Sequence, residues 1–279
     1  MKTGFSTQPP GALVFLHIPK TGGRTLSQVI LRQYDPGSVF TIGLPVDKSI
    51  REFKNLPENR RAQIRLLEGH MPFGLHTYLP HPSTYFSFMR DPVDRVVSIY
   101  YYIVSTPQHY LHERLTARKM SFEDFINAGM TTEVDNGQTR LLSGEGFSLP
   151  YGECTSELLD AARRNIESNF CLVGITERFD QALLVLRRIF SWRNAYYVKK
   201  NVAKNRPMRS AISAESIRAI EANHEFDLQL YDWVKRRFDE RADVLSQSFQ
   251  KELQLFRLVN RLFMFAYSPS LQPARNLVR

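Results

Sequence analysis

Val14-Phe15-Leu16-His17-Ile18-Pro19-Lys20-Thr21-Gly22-Gly23-Arg24-Thr25-Leu26 is the stretch on which the reading of this chain turns. The apolar run Ala12–Ile18 has the short, continuous pattern of a strand buried on both faces of a parallel sheet. It meets Pro19-Lys20-Thr21-Gly22-Gly23, and a helical pattern follows. Leu26, Val29, Ile30 and Gln33 keep helical spacing until Asp35-Pro36-Gly37 stops them. Strand, glycine turn and helix in that order let the backbone approach a ligand closely. The free N–H groups and the dipole at such a helix start attract phosphate or sulfate. Lys20 adds a mobile positive charge, and the hydroxyls of Thr21 and Thr25 add donors. Taken alone, the segment is either an anion cradle or a Gly-Gly turn with a solvated lysine.

Outward from this stretch, strand patterns recur at Val39–Ile42, Ile64–Glu68, Tyr85–Met89, Cys171–Ile175 and Ala195–Val198. Helical patterns lie between them, notably Val93–Val104, Phe122–Ala128, Ser156–Asn165 and Phe179–Phe190. The alternation predicts an α/β fold. A central parallel β-sheet flanked by helices would form a P-loop-like nucleotide-binding core over about residues 12–210. A helical C-terminal extension is expected over 211–267. There Ser213 caps a helix with Ile217, Ile220, Tyr231, Val234 and Phe238 on one stripe. A second amphipathic stretch follows, with Leu245, Phe249, Leu253, Phe256, Val259 and Phe263. Residues 268–279 read as a loose tail, and 1–279 as one domain.

With 37 basic and 28 acidic residues, the chain carries a net charge of +9, which favours anionic partners. A hydrophobic content of 43% excludes wholesale disorder. Two cysteines, Cys154 and Cys171, make neither a disulfide framework nor a metal site. No secretory leader is legible. Lys251, Glu252, Arg257 and Arg261 interrupt the apolar C-terminal stretch, so no membrane span is expected either. A cytoplasmic, metal-independent enzyme is the expectation.

A second anion site is written into Tyr85-Phe86-Ser87-Phe88-Met89-Arg90-Asp91-Pro92-Val93-Asp94-Arg95-Val96-Val97-Ser98-Ile99-Tyr100. Asp91 is suited to an N-cap and Pro92 to a first helical turn. Arg90 then projects from the carboxyl edge of the sheet, where ligands of open α/β sheets bind. Ser98 lies two turns along, on the side of Asp91 and Arg95. Arg90 with Ser98 could grip one phosphate, or Arg90 could pair with Asp94 and leave Ser98 solvated.

Two other functions compete. A kinase-like enzyme would use ATP and magnesium, but its loop places glycines before a Gly-Lys-Ser/Thr ending. Here the lysine precedes the glycines. A basic module binding polyanions or nucleic acid would need a recognisable motif, and none is present, so no nucleic-acid partner is expected.

Phe15–Leu26 resembles the 5′-phosphosulfate loop of sulfotransferases that use 3′-phosphoadenosine 5′-phosphosulfate (PAPS). The likeness is to the branch that includes the heparan sulfate 2-O- and 6-O-sulfotransferases. Arg90-Asp91-Pro92 with Arg95, Ser98 and the following aromatic run resembles their 3′-phosphate motif, in the same order. The resemblance implies PAPS as sulfuryl donor, with 3′-phosphoadenosine 5′-phosphate as product. It implies that Lys20 contacts the bridging oxygen and the departing 5′-phosphate, with Thr21, Gly22, Gly23, Arg24 and Thr25 around it. Arg24 stands where many members carry Ser or Thr. Arg90 and Ser98 would hold the 3′-phosphate, leaving Arg95 and Tyr100–Tyr102 to helix packing and local ion pairing.

Gly69-His70-Met71-Pro72-Phe73-Gly74 resembles the segment that carries the base in that branch. It implies His70 as catalytic base, with His76 as second candidate, while His17 is expected to be structural. Asp135–Leu142 is similar to a stretch of the 6-O enzymes, which implies Gln138 and Arg140 at the acceptor cleft. The basic loop Asn201–Pro207 implies Lys204 and Arg206 on the donor. The acceptor implied is a carbohydrate hydroxyl, and the C-terminal helices offer a homodimer contact.

Overall fold

The computed structural model describes residues 11–199, 207, 209–244 and 247–267. Five strands, β1 (Ala12–Leu16), β2 (Val39–Ile42), β3 (Leu66–Gly69), β4 (Ser83–Met89) and β5 (Phe170–Ile175), build one sheet. Its order is β2-β3-β1-β4-β5 and every neighbouring pair is parallel. β1 lies at the centre, with Leu16 opposite Gly69 on one side and Ser87 on the other. All five β1 residues are buried, which is why this strand reads as an unbroken apolar run.

The helices are α1 (Gly23–Leu31), α2 (Val46–Lys54), α3 (Glu58–Arg61), α4 (Pro92–Ser105), α5 (His112–Ala117) and α6 (Phe122–Asn127). They continue as α7 (Gly137–Ser143), α8 (Ser156–Asn169), α9 (Phe179–Phe190), α10 (Ala214–Asn223), α11 (Glu225–Val244) and α12 (Gln247–Tyr267). From β1 the chain turns through α1 to β2 on one side, whereas from β4 it goes on to β5 at the other edge. Adjacent strands leaving in opposite directions open a crevice at their carboxyl ends. Both anion motifs follow those two strands.

Two expectations need correction. Ala195–Val198 is no strand, although Ala195 and Tyr197 are buried in the alternating manner that suggested one. Its backbone bonds go to side chains instead: the Tyr197 amide donates to Asn260 Oδ1 at 2.8 Å, and Arg32 donates to the Tyr196 carbonyl. The stripe from Ile217 to Phe238 belongs to two helices, broken at His224. Ser213 does cap the first, accepting from the Ser216 amide at 3.0 Å. α12 buries Phe249, Leu253, Phe256 and Asn260, while Val259 and Phe263 are half-buried. Leu245 and the tail at 268–279 lie outside the described residues. Among the described residues no helix is long and apolar enough to cross a membrane. No group of potential ligands among them could hold a metal ion. Both cysteines are free.

Candidate active site

The turn after β1 is tied to the sheet by the His17 amide, which donates to the Gly69 carbonyl at 3.0 Å. Lys20 adopts a left-handed backbone with φ of 68°. Gly22, at φ 83°, is the N-cap of α1; no side chain caps this helix, and its first turn holds no acidic residue. The leading N–H groups therefore point out of the helix end, with its positive dipole behind them. Gly23 is fixed by a close approach: a Cβ there would sit 1.9 Å from His17 Nε2. Arg24 is exposed and Thr25 is buried. Thr21 differs from expectation, because its buried hydroxyl donates to the Ile18 carbonyl at 2.8 Å and shapes the turn.

At the end of β4, Asp91 caps α4 by accepting from the Asp94 amide at 3.0 Å, and Pro92 opens the helix. Arg90 Nη1 donates to the Lys20 carbonyl at 3.2 Å, so the two motifs touch. The Arg90 peptide is itself clamped. Its N–H donates to Gln138 Oε1 at 3.0 Å, and its carbonyl accepts from Gln138 Nε2 at 2.9 Å. Ser98, half-buried, shares a helix face with Arg95 and Tyr102. Tyr102 does more than pack, since Lys20 Nζ lies 3.7 Å from its ring centre. Arg95 is fully buried; Nε donates to the Pro19 carbonyl at 3.1 Å and Nη1 to that of Glu133 at 2.8 Å. Its ion pair is distant in sequence rather than local, reaching Asp227 at 3.9 Å.

His70 follows β3, on the other side of β1. Its Nδ1 lies 2.8 Å from the His17 carbonyl. A carbonyl only accepts, so Nδ1 carries the proton and the neutral ring keeps its lone pair on Nε2. The two imidazoles lean together with centroids 4.2 Å apart. Burial, with the neighbouring His70 and the cations Lys20 and Arg24 adding to it, holds His17 well below the usual imidazole range, so it stays neutral. His76 is engaged elsewhere. The Tyr85 hydroxyl accepts from the amides of Gly74 and His76 at 3.2 and 3.1 Å, and meets His76 Nδ1 at 3.0 Å. Burial lowers the pKa of His76 and pushes Tyr85 up to about 12.

Gln138 and Arg140 do not line an open cleft: they are 0% and 2% exposed. Arg140 pairs with Asp135 and donates to the carbonyls of Gly146, Leu149 and Pro150, which holds the turn after α7. Lys204 and Arg206 lie outside the described residues. Sequence reasoning left Tyr102 to helix packing, although its place four residues after Ser98 was legible from helical spacing. Two structural side chains complete the edge. Thr176 Oγ1 donates to the carbonyls of Thr21 at 3.0 Å and Met89 at 2.9 Å. Glu177 accepts from the Asp91 amide and the Tyr231 hydroxyl, both at 3.1 Å.

The assembled edge therefore offers an uncapped helix start, a lysine, an arginine and a histidine with a directed lone pair. That set can bind two anionic groups and accept one proton. The family model for galactose-3-O-sulfotransferase matches residues 3–266. A Drosophila melanogaster protein named heparin sulfate O-sulfotransferase is 24% identical over 271 residues, covering 88% of this chain and 76% of its own. Human galactose-3-O-sulfotransferase 3 is 26% identical over 244 residues, covering 81% of this chain and 56% of its own. The mouse sulfotransferase SULT7A1 complexed with PAP covers 84% of the chain and is itself covered to 88%. Its identity to this chain is 16% and the TM-score is 0.32.

Proposed function

The chain belongs to the galactose-3-O-sulfotransferase family, and from that premise we propose that it transfers the sulfuryl group of PAPS to a carbohydrate hydroxyl. The observation that carries the reading is the bond from Arg90 Nη1 to the Lys20 carbonyl. It holds the two motifs side by side at adjacent strand ends, which supports a donor that carries phosphates at the 3′ and 5′ positions of its ribose. The start of α1 and Lys20 take the 5′-phosphosulfate, and Arg90 with Ser98 takes the 3′-phosphate. His70 Nε2 removes the acceptor proton as the hydroxyl oxygen attacks sulfur. Lys20 and the N–H groups of α1 meet the charge that grows on the departing 5′-phosphate. A kinase-like reading is not favoured by a lysine placed ahead of the glycines.

Incubation with [35S]PAPS and either a galactose-terminated oligosaccharide or desulfated heparan tests the proposal. Label should enter one of these glycans. No transfer to either glycan, together with no nucleotide binding, overturns it. Pairing of two chains through the C-terminal helices is part of the proposal. Exposed Leu255, Leu258, Leu262 and Phe265 repeat along α12 at the three- and four-residue steps by which helices pair. Sedimentation should find a dimer that Leu258→Glu weakens; a monomer at micromolar concentration contradicts it.

A further inference from the structure

α7 and α11 close each other's ends. Asn136, the left-handed N-cap of α7 at φ 51°, turns its Oδ1 toward α11, accepting from the amides of Phe226 at 2.9 Å and Asp227 at 3.0 Å. Asp227 answers from α11: Oδ2 accepts from the Gln138 amide at 3.2 Å, and Oδ1 from the amide and hydroxyl of Thr139 at 2.7 and 2.8 Å. Gln138, Thr139 and Asp227 are all 0% exposed. A buried carboxylate needs a countercharge, and Arg95, equally buried, supplies it at 3.9 Å.

Two arms leave this carboxylate. Through Arg95 Nε one reaches the Pro19 carbonyl, in the peptide just before Lys20. Through Gln138 the other reaches both polar groups of the Arg90 peptide. The Arg90–Lys20 bond closes the circuit. A neutral cap would satisfy the α7 amides alone. The charge adds a fixed orientation for Arg95, and hence for the loop it holds.

We propose that Asp227 is the positioning residue that sets the Pro19–Thr25 loop and Arg90 in register, with Gln138 as its relay to Arg90. This rests on the reading of the site as a donor site. The two phosphate groups of one nucleotide are a fixed distance apart, so the spacing of these segments governs donor affinity. On the proposed reading these segments hold the donor and not the acceptor.

Wild type, Gln138→Leu, Asp227→Asn and the double variant Arg95→Met/Asp227→Asn are compared. The last keeps a capping oxygen and removes both buried charges, so it stays informative if Asp227→Asn alone fails to fold. KM is measured for PAPS and for whichever of the galactose-terminated oligosaccharide and desulfated heparan takes label as acceptor. Thermal stabilisation is read with 3′-phosphoadenosine 5′-phosphate and with adenosine 5′-phosphate, which lacks the 3′ group. Each folded variant should raise KM for PAPS at least tenfold and leave that of the acceptor within a factor of two. The preference for the bisphosphate should narrow. Variants that merely melt earlier, with donor KM and nucleotide preference unchanged, overturn the proposal. If wild type is stabilised by neither nucleotide, the donor-site reading fails instead, and the two failures are thereby told apart.

Discussion

Lys20 and Tyr102 are joined by a cation–π contact, with the ammonium 3.7 Å from the ring centre. One comes from the turn after β1, the other from the third turn of α4. The contact spans the crevice between neighbouring strands β1 and β4, alongside the Arg90–Lys20 bond. Lys20 is thus held at both its carbonyl and its ammonium, from a left-handed backbone uncommon for a side chain other than glycine.

An ammonium that meets a phosphate gives up part of its contact with the ring. Such contacts are worth ~0.5–1 kcal/mol at exposed sites, so Tyr102→Leu should tighten nucleotide binding by about two- to fivefold. Calorimetric titration with 3′-phosphoadenosine 5′-phosphate measures this. Weaker binding in the variant would mean that the ring guides Lys20 toward the nucleotide.

Loss of the base should be felt in turnover alone. His70→Ala is expected to lower kcat by ~10²–10⁴-fold while nucleotide stabilisation stays at the wild-type level. His76→Ala should instead lower the melting temperature, because it strips a partner from the Tyr85 hydroxyl. Full turnover in His70→Ala would remove that residue from the mechanism.

Gly23→Ala tests the packing beneath the loop. Its Cβ meets His17 Nε2 at 1.9 Å, and overpacking of this kind costs ~1–3 kcal/mol. The melting temperature should fall, and His17→Ala in the same chain should recover part of the loss. An unshifted melt in Gly23→Ala would show that the ring has room to move.

Acid should weaken the fold through two histidines. Burial, the largest cause in each case, lowers the pKa of His17 and of His224. In the unfolded chain each takes up a proton near pH ~6.5, whereas the folded chain keeps it neutral. The unfolded state therefore binds more protons as pH falls below that value. Stability drops by up to ~1.4 kcal/mol per pH unit for each histidine, until the folded pKa is reached. Melting from pH 7.5 down to 5.5 should show the decline, with a shallower slope in His17→Gln. A flat wild-type profile would contradict it.

The sheet was legible because its inner strands β1 and β3 are buried throughout and the others still read as short apolar runs bounded by turns. Val39–Ile42 and Phe179–Phe190 match the structure to the residue. Ala195–Val198 misled because burial alternates there without a strand partner; the signature of a strand lies in hydrogen bonds that a one-dimensional pattern does not carry. In the candidate site, residues that follow strand ends were visible as motifs. Residues that act through space were not. Asp227 looks like an ordinary helix acid, and Gln138 sits in a stretch that suggested an acceptor cleft. Only folding brings Gln138 against the Arg90 peptide, across 48 positions of chain.

In the proposed mechanism one nucleotide bearing 3′ and 5′ phosphates bridges the Pro19–Thr25 loop and Arg90. Calorimetric titration of wild type and Arg90→Ala with 3′-phosphoadenosine 5′-phosphate, and of wild type with magnesium-ATP, tests it most directly. A hydrogen bond to a charged group is worth ~1.5–3 kcal/mol, so Arg90→Ala should weaken the bisphosphate by about tenfold to hundredfold. Magnesium-ATP should bind wild type far less tightly. Equal affinity for magnesium-ATP, or bisphosphate binding that ignores Arg90→Ala, would contradict the account.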